Sequence, residues 1–200
     1  FSAALGLAAA FNAAGDGRKV FGILGDSPFF HAGLTGLADA IHARADICLV
    51  ILDNSITAMT GHQANPGTAR DLMGRDAPAL DIASVVKGLG LPEDRLKIID
   101  PLDRGACLAA VDEALGREGL SVIITRRPCV LIKEVRGTFK NTCVVEPDKC
   151  KKCKMCLKVG CPAISFKDGH SSIDQSACLG CEYCLQVCKF EAIEVREVSR

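Results

Sequence analysis

The apolar positions over residues 1–135 follow two patterns. Short continuous apolar runs, rich in β-branched residues, are typical of parallel strands that are buried on both faces. They predict four strands, at Val20–Leu24, Ile47–Leu52, Leu96–Ile99 and Ser121–Thr125. Segments with apolar residues on one side predict helices over the opening residues and at Leu34–Ala43, Ala79–Gly88 and Arg104–Arg117. This alternation favours an α/β domain, with a parallel sheet and helices on both faces.

The pattern changes near Arg126. The stretch that follows has no helical periodicity and leads into a dense group of cysteines. We therefore predict a first domain over residues 1–135, a linker over 136–145 and a small second domain over 146–200. Two similar cysteine motifs in the second domain are each followed by a strand-like segment, Ala163–Phe166 and Ala192–Val195. Two copies of one small unit are the simplest explanation.

Composition narrows the class of protein. Hydrophobic residues make up 48% of the chain, and 24 basic residues balance 24 acidic ones. This balance argues against a nucleic-acid partner. The longest aliphatic run, Ile47–Leu52, is far shorter than the ~20 residues that span a bilayer. The chain opens without Met or a basic segment, so we predict no signal peptide, no membrane partner and a reducing, cytoplasmic location. The first residues have the pattern of a helix that begins before Phe1, so we expect the sequence to be the C-terminal piece of a longer protein.

Cysteine is the outlier, with 12 residues. Four are scattered: Cys48, Cys107, Cys129 and Cys143. The other eight form two motifs, Cys150-x2-Cys153-x2-Cys156-x4-Cys161 and, 28 residues later, Cys178-x2-Cys181-x2-Cys184-x3-Cys188. A disulfide scaffold spreads its cysteines more evenly, and zinc ribbons use separated pairs rather than triplets. Triplets with a fourth cysteine close behind favour two [4Fe–4S] clusters.

The cysteine segment resembles a bacterial-type two-cluster ferredoxin, a small α+β domain, over its whole length. In such ferredoxins the fourth ligand of each cluster comes from the other motif. The resemblance implies a first cluster on Cys150, Cys153, Cys156 and Cys188, and a second on Cys178, Cys181, Cys184 and Cys161. Backbone N–H groups near Gly160 and Gly180 are expected to donate to the sulfurs. We expect the four scattered cysteines to be inert packing residues.

Polar residues follow two predicted strands directly. Gly25-Asp26-Ser27 follows the first and Asp53-Asn54-Ser55 the second, with 25 residues between the triplets. Parallel strands place such loops at one edge of the sheet, so we expect Asp26 and Asn54 to lie side by side. Their oxygens suit Mg²⁺, which in turn binds a diphosphate, and Gly25 lets the backbone approach it closely. The alternative for each acidic residue is a helix N-cap.

The pair of triplets resembles the thiamine-diphosphate signature, GDG followed after about 25–30 residues by NN. Ser27 replaces the last Gly and Asp53 replaces the first Asn. The neighbouring segments GDSPFFHAGLTGL, ILDNSITAMTGHQANPGT and IITRRPCVL extend the likeness. Together with the cysteine motifs, they resemble the C-terminal part of the α subunit of indolepyruvate:ferredoxin oxidoreductases, over essentially all 200 residues.

The resemblance implies roles for individual residues. Asp26, Asn54 and the backbone carbonyl of Ile56 are the implied Mg²⁺ ligands. The implied lining of the diphosphate pocket is Ser27, Thr57 and Gly61. No catalytic residue is identified. His31 and His62 are weak candidates for contact with substrate or cofactor, and a structural hydrogen bond is the alternative for each. Met59 is expected either to support the thiamine ring or simply to pack against neighbouring side chains.

The implied reaction is the oxidative decarboxylation of indolepyruvate. Coenzyme A takes the acyl group, the two clusters relay electrons to external ferredoxin, and a β subunit is the partner. The family activates the cofactor with a carboxylate from an upstream domain, so we expect the isolated 200 residues to be inactive. Two alternatives remain open: another 2-oxo acid as substrate, such as pyruvate or a branched-chain acid, and a non-catalytic ferredoxin-type electron-transfer module.

Overall fold

The structure, a computed structural model, describes residues 1–197 in two compact units. The first unit is Phe1–Ile132, and the second begins at Lys133. Residues 198–200 of the predicted second domain lie outside the described residues.

The first unit is built on a four-stranded parallel sheet with strand order β1-β2-β4-β3. The strands are β1 (Val20–Gly25), β2 (Ile47–Asp53), β3 (Leu96–Ile99) and β4 (Ser121–Arg126). Each begins at the predicted residue, and three of them continue one residue further. The prediction of a parallel α/β sheet is confirmed.

Five α-helices accompany the sheet in the first unit: α1 (Ser2–Ala13), α2 (Asp26–Pro28), α3 (Leu34–His42), α4 (Ile82–Gly88) and α5 (Arg104–Leu115). A π-helical turn, Phe29–Gly33, joins α2 to α3. Helix α4 begins three residues later than predicted because the Asp81 carboxylate accepts from the backbone N–H of Ser84 at 2.8 Å. An aspartate at this N-cap position fixes where the helix starts.

Apolar side chains pack on both faces of the sheet. Leu37 and Val86 lie on the face that carries α3 and α4. On the other face, Ala110 and Ala114 of α5 pack against Cys48 and Ile123, among others. Fully burying a leucine or valine side chain contributes about 1.5–3 kcal/mol, so both layers stabilise the sheet.

Strand β1 is predicted to be buried on both faces, but one of its faces is partly exposed. Ile23 is 64% exposed, although its neighbours in register, Val50 and Ile123, belong to the cluster under α5. The difference arises because α5 packs near β3 and the middle of the sheet, whereas β1 is the strand at the opposite edge.

The second unit contains two antiparallel strand pairs. Strand β5 (Asn141–Val145) pairs with β8 (Ile193–Glu197), and β6 (Ile164–Lys167) pairs with β7 (His170–Ile173). Each cysteine motif contains a short 3-10 helix, Met155–Val159 or Leu185–Val187, and is followed by β6 or β8.

Two of these strands were not anticipated. Residues 141–145, which the sequence analysis places in a linker, form β5 because Thr142 and Cys143 are buried and the strand pairs along its length with β8. Strand β7 follows a two-residue turn in which Asp168 and Gly169 both have positive φ, 51° and 78°. An Asp-Gly pair of this conformation is a strong hairpin signal.

Gly180 is required by the fold of the second unit. Its φ is +73°, and a Cβ built there lies 2.0 Å from the backbone oxygen of Asn141 in β5. Gly160 has nearly the same φ, +72°, but a Cβ there meets nothing within 4 Å. The two positions therefore share a left-handed backbone, but only Gly180 has another backbone so close that a side chain would clash with it.

Gly180→Ala is expected to destabilise the second unit well beyond the cost of left-handed backbone alone, which is about 1–2 kcal/mol. The measurement is the melting temperature and iron content of the chain after reconstitution with iron and sulfide. Gly160→Ala is the matched control and carries the backbone cost without the clash. Equal losses in the two variants would show that the close approach to Asn141 is unimportant.

Candidate functional site

The carboxylate of Asp26 is buried at the carboxyl edge of the sheet. Asp26 is 4% exposed and begins α2 directly after β1. One carboxylate oxygen, Oδ1, accepts from the backbone N–H of Ser27 at 2.8 Å, and Oδ2 accepts from Nδ2 of Asn65 at 3.2 Å. The N-cap of α2 is Gly25, so Asp26 does not have the alternative role of a cap.

Asp26 is a buried acid without a basic partner. Within residues 1–197, no lysine or arginine forms an ion pair with its carboxylate, whereas Asp53 next to it has one. Burial raises the pKa of Asp26 and the charge of Asp53 adds to this, whereas hydrogen bonds from the backbone N–H of Ser27 and the side-chain amide of Asn65 offset part of the shift. A buried carboxylate is costly unless a cation accompanies it. The donor chemistry of this edge therefore fits a divalent metal ion.

Arg126 compensates the neighbouring acid. It lies opposite Asp53 in the register of the β2–β4 pair, and its Nε donates to Oδ2 of Asp53 at 2.7 Å. Its NH2 group donates to Oδ1 of Asp81, the N-cap of α4, at 2.8 Å. Asp53 is thus engaged in an ion pair, and Arg126 links the ends of two strands to the start of a helix.

The loop after β2 turns at Asn54. Its side-chain oxygen accepts from the backbone N–H of Ile56 at 3.2 Å, an Asx turn that holds Ser55 at a φ of +62°. The carbonyl of Ile56 accepts from the N–H of Ala58 at 3.0 Å. Each of these oxygens makes one hydrogen bond and retains a second lone pair.

Sequence analysis missed Asn65. This side chain is buried; besides its bond to Asp26, its Oδ1 accepts from the N–H of Gly67 at 2.8 Å. It lies 39 residues beyond Asp26 and is brought to it by the long loop between β2 and α4. The only local signal is the Asn-Pro turn pair with Pro66.

A cleft of about 490 Å³ adjoins this edge. Among its lining residues are Ser27, His31, Thr57 and Asn65. The sequence analysis predicts Ser27 and Thr57 at a diphosphate pocket, and the structure places both on the same cleft.

Other predicted residues lie further out in the loop. Gly61 and His62 are exposed, Met59 is 100% exposed, and a bridge between Thr57 and Gln63 closes the loop. The predicted alternative of a simple packing role for Met59 is wrong, because its side chain is fully exposed. In the part of the chain that the structure describes, neither His31 nor His62 makes the structural side-chain hydrogen bond that was the alternative for them.

Gly25 is not required by the packing of the chain itself. Its φ is −79°, and a Cβ added there meets nothing closer than Cδ of Pro28 at 3.5 Å. The backbone at this edge therefore leaves a space that a side chain would fill, as a closely approaching ligand requires.

Sulfur dominates the core of the second unit. All 12 cysteines are free thiols. The buried core residues are Cys143, Cys156, Ala163, Ile173, Cys178, Cys184 and Ile193, and Cys161 and Cys188 pack against them. The two predicted motifs are thus brought together in one small core, as shared clusters require.

Hydrogen bonds to sulfur support ligand roles. The N–H of Ala192 donates to Sγ of Cys188 at 3.4 Å. Hydrogen bonds from the backbone of Ser171 and Lys152 lower the pKa of Cys150. Groups that stabilise a thiolate also tune a bound cluster.

Gly160 and Gly180, near which hydrogen bonds to sulfur are expected, differ in the acceptors of their backbone N–H groups. Burial alone would raise the pKa of Cys178, but hydrogen bonds from Thr142 and from the N–H groups of Cys143 and Gly180 hold it below its ordinary value. The N–H of Gly160 instead donates to the carbonyl of Leu157 at 3.1 Å. The expectation of a bond to sulfur therefore agrees with the structure at Gly180 and is corrected at Gly160.

The scattered cysteines have different surroundings. Cys48 is fully buried in β2, and burial raises its pKa to about 11, which keeps the thiol protonated and inert. Cys143 lies instead in the core with the second motif, where its N–H donates to Sγ of Cys178 at 3.4 Å. Burial raises the pKa of Cys143 too, so it packs there as a neutral thiol.

Among the described residues, no group of three or more His, Cys, Asp or Glu side chains is arranged around a single metal ion. Within residues 1–197, no helix is both long and apolar enough to span a bilayer.

The family of the chain follows from its two units. Residues 1–125 match the family described as thiamine pyrophosphate enzyme, C-terminal TPP binding domain, and residues 142–189 match the 4Fe-4S dicluster domain. The chain belongs to the thiamine pyrophosphate enzyme family. Thiamine diphosphate and two [4Fe–4S] clusters, both expected from the motifs, are confirmed as its cofactors.

Curated relatives carry the name indolepyruvate oxidoreductase subunit IorA. The relative from Methanothermobacter marburgensis is 39% identical over 192 residues, which cover 95% of this chain and 30% of the relative. The relative from Pyrococcus abyssi is 41% identical over 192 residues, with 92% and 29% covered. The resemblance stated from the motifs is confirmed, and the chain spans about three tenths of these relatives' length. Among solved structures, benzoylformate decarboxylase from Polynucleobacter necessarius is 24% identical, with a TM-score of 0.43 over 64% of this chain and 24% of that chain.

Asn65→Ala is expected to lower the free energy of unfolding of the first unit by about 1–3 kcal/mol, because buried Asp26 loses a donor and Gly67 loses an acceptor. Circular dichroism at 222 nm during urea unfolding reports this unit, which holds every α-helix of the described residues. The matched control is Gln63→Ala in the same loop, whose amide bonds only to exposed Thr60. Its expected loss is below about 0.5 kcal/mol. Similar losses for both variants would rule out a buttressing role for Asn65.

Proposed function

We propose that this chain forms part of a thiamine-diphosphate-dependent 2-oxoacid:ferredoxin oxidoreductase that acts on indolepyruvate and related aryl pyruvates. In the reaction, coenzyme A takes the acyl group and external ferredoxin takes the electrons. The observation that supports the proposal is a buried, uncompensated carboxylate at the sheet edge in the same chain as eight free motif cysteines. Oxidative decarboxylation releases electrons, and the clusters accept them.

Asp26 and Asn54 are the proposed ligands of Mg²⁺, with the carbonyl of Ile56 as a third. The cation supplies the positive charge that buried Asp26 lacks, while Arg126 already neutralises Asp53 at 2.7 Å. Carboxylate, amide and carbonyl oxygens are the donors that such a hard cation prefers.

Bound thiamine diphosphate supplies the carbon nucleophile that decarboxylates the 2-oxo acid. Gly25 leaves room at the sheet edge for its diphosphate. Ser27 and Thr57 present hydroxyl groups to the adjacent cleft, and Gly61 lies in the loop beyond. His31 lines the same cleft and is the better placed of the two histidines to contact substrate, since His62 lies in the exposed part of that loop.

The proposed ligands of the first cluster are Cys150, Cys153, Cys156 and Cys188. Those of the second are Cys178, Cys181, Cys184 and Cys161. The packing of both motifs into one core supports this exchange of the fourth ligand. Cys143 is the ninth cysteine of the unit and is proposed to stay a thiol.

The proposed partners are a β subunit and external ferredoxin, with no nucleic acid and no membrane. A cytoplasmic location suits eight cysteines that must remain reduced to bind iron.

In the complete oxidoreductase that contains this chain, Gly25→Ala is expected to weaken thiamine-diphosphate binding about tenfold, because the new methyl group fills the space proposed for the diphosphate. Calorimetric titration with thiamine diphosphate and Mg²⁺ measures the affinity. Turnover is followed as indolepyruvate- and coenzyme-A-dependent reduction of methyl viologen.

Gly88→Ala is the control, since the residue ends α4 and a Cβ there meets nothing within 4 Å. Unchanged cofactor affinity in Gly25→Ala would overturn the proposed diphosphate position. Faster turnover of pyruvate or branched-chain 2-oxo acids than of indolepyruvate would overturn the proposed substrate. If the protein has reducible clusters but does not bind thiamine diphosphate, the alternative of a non-catalytic electron-transfer module would replace the proposed function.

Cys181→Ala is expected to reduce the iron content of the chain from about eight to about four atoms, because it removes a ligand of one cluster. Cys143→Ala is expected to keep about eight, because its thiol is not a ligand. Iron and acid-labile sulfide analysis, with electron paramagnetic resonance after anaerobic reduction, measures both. Loss of a cluster in Cys143→Ala would contradict the proposed ligand set, and zinc without reducible iron would contradict the clusters themselves.

A further inference from the structure

The first cysteine motif carries a basic surface. Its loop and the following 3-10 helix present a lysine collar, which we define as Lys151, Lys152, Lys154 and Lys158, all exposed. No carboxylate of residues 1–197 pairs with these ammonium groups, whereas neighbouring Lys149 pairs with Glu194. From Lys149 to Gly160 the sequence contains no acidic residue. The collar is therefore a concentrated, uncompensated positive charge.

The charge is placed at equivalent positions of the repeat. Each motif has two residues in left-handed conformation between its first three cysteines. In the first motif these are Lys152 and Lys154, with φ of 56° and 59°. In the second they are Gly180 and Glu182, with φ of 73° and 61°. The same backbone therefore carries two positive charges in one motif and one negative charge in the other.

Lysine is a costly choice at these positions. Left-handed backbone costs an ordinary residue about 1–2 kcal/mol, and glycine avoids that cost. At Lys152 and Lys154 the chain bears the cost twice and gains exposed charge in return. Lys154 is also held in place, because its Nζ lies 4.5 Å from the centre of the Phe166 ring.

The collar surrounds the more accessible motif. Of the first three cysteines of the first motif, only Cys156 is buried and Cys153, between the two left-handed lysines, is exposed. In the second motif both Cys178 and Cys184 are buried. A cluster held by the first motif would have an exposed ligand, Cys153, whereas the three motif cysteines Cys178, Cys181 and Cys184 are buried or intermediate. Electron transfer slows steeply with distance, so this cluster is the better exit.

We propose that the lysine collar is the docking surface for a small acidic electron-carrier protein, and that electrons leave the chain through the cluster of the first motif. The proposal rests on the proposed function, which supplies the clusters and the electrons. In each encounter the reduced cluster loses one electron and the carrier gains it, with no bond or proton exchanged. Opposite charge steers the encounter and raises its rate.

Lysines near a cluster have a second possible effect, which is to stabilise its negative charge and raise its potential. The two effects differ in what they change. Docking changes the rate of association and its dependence on salt, whereas charge stabilisation changes the midpoint potential. A test must therefore measure both quantities.

The test uses the complete oxidoreductase, reduced with dithionite and desalted anaerobically, then mixed in a stopped-flow instrument with an oxidised ferredoxin of net negative charge. The variant Lys151→Gln/Lys158→Gln removes two collar charges and leaves both left-handed positions intact. The control Lys133→Gln/Lys140→Gln removes two exposed charges of the same unit that lie outside both cysteine motifs. Redox titration followed by electron paramagnetic resonance measures the midpoint potentials of all three proteins.

The collar variant is expected to lower the second-order rate constant about tenfold at low ionic strength, with convergence toward the unmodified protein at high salt. The control is expected to change it less than about twofold. Equal effects in both variants, or a shift in midpoint potential that accounts for the slower rate, would overturn the docking surface. Because dithionite supplies the electrons, these outcomes do not depend on turnover, and a failure of indolepyruvate oxidation would instead contradict the proposed function.

Discussion

The parallel pairing of β1, β2 and β4 determines where the polar groups of the first unit meet. Because Gly25 pairs with Leu52 and Asp53 with Arg126, the residues that follow each strand emerge at one edge. Two acids are brought together there, and only Asp53 receives an arginine. The unit thus bears an unfavourable buried carboxylate at Asp26, whose charge the proposed Mg²⁺ would offset.

Each unit buries a group whose charged form is unfavourable there, a carboxylate in the first unit and thiols in the second. In the first, Asn65 and backbone N–H groups orient a carboxylate whose net charge the chain leaves uncompensated. In the second, burial raises the pKa of Cys184 to about 11, so its thiolate form needs a metal. A coordinating thiol is deprotonated by its metal, and the same burial then limits access of water. In both units the unfavourable term is local and lies where a cofactor is expected.

The sheet and most of the proposed ligands could be predicted from sequence, because strand runs such as Ile47–Leu52 and the cysteine spacings are local patterns. Asn65 could not, since its contact with Asp26 depends on a loop that returns after 39 residues. Strand β5 was missed because five residues before a proline show too little alternation, and only pairing with β8 identifies them. The exposure of Ile23 depends on the position of α5, which strand composition does not encode.

The small apolar core of the second unit makes its stability depend on bound metal. Among the described residues of this unit, eight apolar side chains are buried and four of them are cysteines, so few aliphatic side chains remain to hold the strands together. When binding supplies the folding free energy, the metal-free form opens readily and is exposed to proteases. Iron supply would then govern the amount of this chain as well as its electron flow, and a shortage would remove it by degradation.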